Sequence, residues 1–266
     1  MGFEFVLQVW FQEFLRLILL IAIPGVMLYG ANELWYRACG LYGYRIELAT
    51  GFVGTPLHEI SHAVAVKLFG MSVRDIALYK PDPQSRTLGY VVYAYQPGSI
   101  LHSLGRFVVG IAPLIGGALA VTGLLLVADL PRLGDYRSIS DPVFAPMFQW
   151  AKDLLSSADN LKAWACLALA VMVATHATPS RADLKGSASG LFGTLMLFLT
   201  LNVILVLLPD PAYELIQPYI DLEAFVAQVA AQVLQLAAIG IVAAVLLSTA
   251  VALCRGLGFT ASKIRA

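Results

Sequence analysis

No Asp, Glu, Lys or Arg occurs between Phe107 and Ala128. That stretch exceeds the about 20 apolar residues a helix needs to cross the hydrocarbon core of a bilayer. Inside hydrocarbon a chain must satisfy its own backbone hydrogen bonds, which restricts such a segment to a helix. Further apolar stretches follow the same pattern at Phe14–Gly30, Glu47–Phe69, Leu161–Ala177, Leu191–Leu208 and Ala224–Cys254. Hydrophobic residues make up 59% of the 266, and charged residues only 13%. Soluble domains carry about 25% charge. The chain is therefore expected to be an all-α polytopic membrane protein, a single integral domain over 1–266 with about six transmembrane helices. Its formal net charge of zero gives no reason to expect a nucleic-acid partner. Cys39, Cys166 and Cys254 are too far apart in sequence to suggest a disulfide framework or a thiolate metal site. Glu4 and Glu13 spoil a basic leader region, so the first apolar stretch reads as a retained helix.

Between the second and third stretches, residues 71–103 are too polar to span. Arg74–Lys80 and Thr87–Tyr95 are strand-prone and flank Pro81-Asp82-Pro83-Gln84-Ser85. This pattern predicts a small membrane-associated β-hairpin. In the third stretch, Gly110 to Gly117 contains four glycine or alanine positions around Pro113 that allow close helix approach and predict a kink. Phe144–Leu155 suits the membrane surface. Ten Lys and Arg residues on the side of the hairpin, the 178–190 connection and the C-terminus face six on the other side. Positive charge concentrates on the cytoplasmic side, so both termini are expected there, in a prokaryotic cell membrane.

The second apolar stretch contains His58-Glu59-Ile60-Ser61-His62. On a helix, residues four apart project from one face, so His58 and His62 are placed to share a tetrahedral Zn²⁺. Glu59 lies about 100° around the helix from His58. It can approach the open coordination position without ligating the metal, as a general base does in this motif. Ionisable residues at membrane depth are costly and mark functional sites. Thr55 and Pro56 are expected to start this helix, and Gly70 to close it.

Catalytic zinc usually takes three protein ligands. His102, His176 and Asp183 are the candidates for the third, and the chemistry alone permits either His or carboxylate. His176 and Asp183 both lie where the fourth span gives way to the fifth. Pro179 should push the chain out of helix near Thr178, letting Asp183 turn back toward His58 and His62. A carboxylate also offsets metal charge, which a neutral imidazole cannot do. His176 would then sit one turn deeper, with its N–H directed at a developing oxyanion.

These motifs together resemble the site-2 proteases, intramembrane zinc metalloproteases. Their later motif reads Asn-x-x-Pro-x-x-x-Leu-Asp-Gly. Here the run is His176-x-x-Pro179-x-x-x-Asp183-x-x-Gly186, with His for Asn and the Asp one residue earlier. Ala112-Pro113 resembles the family's Gly-Pro, and the hairpin its membrane-associated β-structure. The resemblance covers about Gly51 to Gly190, within a catalytic core of about 46–208. It implies His58, His62 and Asp183 as zinc ligands, Glu59 as the catalytic base, and a transmembrane protein in the lipid bilayer as substrate; the catalytic part expected of His176 comes from its position, where the family has Asn. An edge of the hairpin could hold the unwound substrate by strand addition. Two other readings share the motif. A prenyl-protein type protease would need a downstream Glu as third ligand, and only Glu214 and Glu223 follow Glu59. A non-catalytic scaffold would have no use for Glu59.

Overall fold

The computed structural model describes residues 3–84, 87–136, 144–207 and 222–264. Helix α1 is hydrogen-bonded from Phe3 to Leu68. A hairpin of β1 (Ser72–Ala77) and β2 (Tyr90–Ala94) follows, then α2 (Ile100–Val127) and a 3₁₀ turn at Leu133–Asp135. The remaining helices are α3 (Phe144–Ser157), α4 (Leu161–His176), α5 (Arg181–Leu207) and α6 (Leu222–Ile264).

α1 cannot be straight. Asn32 donates to the Thr175 carbonyl at 3.0 Å, while a Cβ on Gly54 would collide with the Met172 carbonyl and the His176 side chain. A straight helix would hold Asn32 and Gly54 about 33 Å apart, yet both meet the C-terminal end of α4. Between them, a Cβ on Gly43 would stand 2.8 Å from that of Cys39, one turn earlier in the same helix, and 3.4 Å from the Trp35 ring. Only glycine fits so tight a return. The first two expected spans are thus two limbs of one bent helix. Thr55 and Pro56 do not start the second limb, as the sequence suggests, but lie inside it. The residues upstream are helical already, so the local start signal has nothing to start.

Gly70 does close α1. Its φ is 69°, and Met71 N–H reaches back to the Val66 carbonyl at 3.0 Å, a left-handed helix stop that glycine favours. The hairpin forms as expected, antiparallel, with Ser72 opposite Ala94 and Ile76 opposite Val91.

Among the described residues, three helices are long and apolar enough to cross a membrane: Phe14–Cys39 within α1, Ile100–Val127, and Ala227–Leu253 within α6. α4 and Arg181–Leu197 of α5, bent by 66° at their break, make a fourth if the pair is one broken span. Six spans are not shown. The limb carrying the His-Glu-x-x-His is not among these helices, since His58, Glu59 and His62 lower its apolar character. α4 and α5 also succeed each other along α2 instead of forming an antiparallel pair. Ala177 packs on Gly117, Asp183 and Ser187 on Gly110, and Gly190 on Phe107. These contacts step steadily toward the start of α2, and a 66° bend does not reverse the chain.

The main core gathers Leu28, Leu114, Leu125, Leu133 and Leu236. A smaller cluster of Ala65, Val66, Met71, Val109 and Ala112 joins the His-Glu-x-x-His limb to α2. Arg16 and Arg132 line one cavity of about 440 Å³.

Candidate metal centre

His58 and His62 lie one turn apart on α1, and their side chains point into the gap between α1, α2 and the start of α5. His58 Nδ1 is 2.7 Å from the His176 carbonyl. His62 Nδ1 is 2.8 Å from the Val109 carbonyl. A carbonyl oxygen can only accept, so both Nδ1 atoms carry the proton. In the neutral rings each Nε2 then presents a bare lone pair. The two Nε2 atoms face each other at 3.1 Å.

Asp183 completes the group from α5. Its Oδ1 is 3.2 Å from His62 Nε2, and its Oδ2 is 3.7 Å from His58 Nε2. Two backbone features aim it there. Ser180 N–H donates to Asp183 Oδ2 at 2.7 Å, and Asp183 N–H donates to Ser180 Oγ at 3.2 Å. This reciprocal cap starts α5 and fixes the carboxylate at the positive end of a helix. Pro179 ends α4 at His176, as the sequence suggests, but the link is so short that Asp183 falls in the first turn of the next helix. The three donors lie within 4.8 Å of one another. Three such groups converging on one point form an arrangement that a metal ion could occupy.

The sequence search for a third donor named His176 as well as Asp183, and the structure gives the two different places. The His176 ring turns away from the three donors, its Nδ1 3.0 Å from the Met172 carbonyl. The ring stands outside the group that the three donors form. His176 acts on the centre through its backbone carbonyl, which holds His58. His102 is also elsewhere, its Nδ1 accepting from Gln96 N–H at 2.8 Å. Glu214 lies outside the described residues.

Glu59 is 6% exposed, and its Oε2 has no hydrogen-bond partner among the described residues. Glu59, His58 and His176 line a cavity of about 300 Å³, bordered on the hairpin side by Thr87, Leu88 and Gly89. A Cβ on Gly89 would come within 2.9 Å of Glu59 Cγ and 2.7 Å of the Ala77 carbonyl. The hairpin backbone therefore lies directly against the buried carboxylate.

Close approach of α2 makes this assembly possible. A Cβ on Gly110 would overlap the Asp183 carbonyl and Ser187 Oγ, and one on Gly116 would overlap Ser61 Oγ. Glycine stripes of this kind let helices pack in lipid. Gly110→Ala is expected to push the first turn of α5 outward, an overpacking that costs about 1–3 kcal/mol. If half of that falls on the site, metal affinity drops about 2- to 10-fold. A chelator-competition titration checks this, and an unchanged affinity would show that α5 is not positioned by this contact. Sequence reading did not find the roles of Val109 and His176, because backbone carbonyls carry them and side-chain chemistry does not announce them; it also missed the cap at Ser180, which the Ser180-x-x-Asp183 spacing could have signalled.

No family model, no curated protein and no solved structure matches this chain.

Proposed function

We propose that this chain is an intramembrane zinc metalloprotease that cleaves a peptide bond in or near a transmembrane segment of a membrane protein, in the manner of the site-2 proteases it resembles. The observation that carries the reading is the convergence of His58 Nε2, His62 Nε2 and the Asp183 carboxylate beside a buried Glu59 whose Oε2 has no hydrogen-bond partner among the described residues. Two histidines and a carboxylate form a known catalytic zinc set that leaves one position open. Ligands about 2.0–2.1 Å from a tetrahedral zinc stand about 3.3 Å from each other. The separations of 3.1 and 3.2 Å fit this, and 3.7 Å is within a small side-chain adjustment. Both imidazoles also donate their far N–H to a carbonyl, the outer-shell arrangement that zinc-binding histidines usually have.

Zinc held by His58, His62 and Asp183 would supply Lewis acidity and lower the pKa of water to about 7. Glu59 takes the proton from the attacking water and delivers it to the leaving amine. Its burial, with no partner for Oε2 among the described residues, leaves that oxygen available for this work. The His176 and Val109 carbonyls keep the rings from rotating. A substrate helix must first unwind, because its own hydrogen bonds occupy its carbonyls. The backbone of Thr87–Gly89, along the same cavity, is where strand addition would hold the extended segment.

The test uses the full chain in proteoliposomes with a mixture of membrane proteins as substrate. New fragments should appear, vanish on chelation and return with added Zn²⁺. Fragments that persist without metal, or none under any condition, would sink the reading.

A further inference from the structure

In a regular helix the carbonyl of Val109 accepts the N–H of the residue four positions on. That residue is Pro113, inside α2, and proline has no N–H. Val109 is 3% exposed, so water does not reach its carbonyl freely. A buried backbone carbonyl in this position needs another donor. The donor is His62 Nδ1, at 2.8 Å. We infer that Pro113 is a positioning residue for the metal centre. By lacking an N–H it reserves the Val109 carbonyl for His62, and so fixes the tautomer and rotation that turn His62 Nε2 toward His58 and Asp183.

The same device recurs nearby. Pro179 cannot donate to the carbonyl four positions before it, that of Thr175. Asn32 Nδ2 donates to that carbonyl at 3.0 Å, tying the first limb of α1 to the end of α4. At His176, the N–H that would continue α4 belongs to Ser180 and is diverted to Asp183 Oδ2. The His176 carbonyl is thereby left for His58 Nδ1. Each carbonyl that steadies an imidazole has lost its helical partner, one to a proline and one to the cap that aims Asp183. A kink alone would not predict this match between the missing N–H and the carbonyl that His62 uses. Packing supplies the proximity, with Val109 and Ala112 set against Ala65 and Val66.

The consequence for metal rests on the proposed metal site, whereas the hydrogen bond itself does not. Pro113→Ala restores an N–H at position 113, and alanine is the strongest helix former, so α2 is expected to form. The new N–H competes for the Val109 carbonyl. Zinc affinity should fall on the order of 10-fold, the lower end of what outer-shell changes cost. In the metal-free protein, the ¹⁵N imidazole spectrum of His62 should change from a single Nδ1–H tautomer to a mixture. A second variant places lactic acid, the α-hydroxy analogue of alanine, at position 113. It has neither the ring nor an N–H, and should restore both the affinity and the single tautomer. Wild-type affinity and an unchanged His62 spectrum in Pro113→Ala would overturn the inference. So would a lactic-acid variant as weak as Pro113→Ala, since the effect would then belong to the ring. If the wild-type protein binds no zinc, the metal reading fails, and the metal-free His62 spectra still decide the role of Pro113.

Discussion

Asp183→Asn is expected to lose nearly all bound zinc and all metal-dependent cleavage, while His176→Ala keeps its zinc. Asn retains an oxygen that can accept from Ser180 N–H, so the cap that starts α5 survives. What it loses is the negative charge beside the two Nε2 atoms. Removing a direct donor should cost more than the about 10–100-fold typical of outer-shell partners. His176 meets His58 through its backbone carbonyl, which alanine preserves. Its ring is directed at Met172, so truncation opens space against Gly51 and Gly54 without removing a donor from the centre. Metal analysis of the two purified variants decides the matter. Zinc lost from His176→Ala and kept in Asp183→Asn would make His176 the ligand and refute the centre described above.

Glu59→Gln should bind zinc as the wild type does and cleave about 10²–10⁴-fold more slowly, the usual contribution of general acid–base catalysis. Glutamine is nearly isosteric, so it fits beneath Gly89, where Glu59 Cγ already lies within contact of the hairpin. It cannot accept the proton from water at neutral pH. The buried Oε2, with no partner among the described residues, leaves no structural bond for the substitution to break. A drop in cleavage at constant zinc content therefore isolates the base. Near-normal turnover in proteoliposomes would remove Glu59 from the mechanism, and loss of zinc would mean that Glu59 supports the donors and is more than a base.

The site was legible wherever its geometry is local. Four-residue spacing puts His58 and His62 on one face whatever surrounds them, because helix pitch is a property of the backbone. Pro179 stops α4 and Gly70 stops α1 for equally local reasons, a missing N–H and freedom at positive φ. The strand-prone runs around residues 81–85 pair as a hairpin with the expected order. Thr55-Pro56 misled because a start signal acts only if the preceding chain is not already helical. The expected count of six spans is not shown, because hydropathy measures length and apolarity and cannot tell a reversal from the 66° bend between α4 and α5.

The sequence by itself determined that the chain has membrane-length apolar helices and carries two imidazoles and a carboxylate in one His-Glu-x-x-His run. Only the tertiary structure decided which distant groups join them. His58 reaches the His176 carbonyl, and His62 the Val109 carbonyl, across 118 and 47 positions of chain. Those meetings depend on how closely α2 and α5 approach at Gly110, and on the return of α1 at Gly43. Contact distance between helices is set by the absence of side chains on facing surfaces, and a linear pattern shows which residues are small without showing what they face.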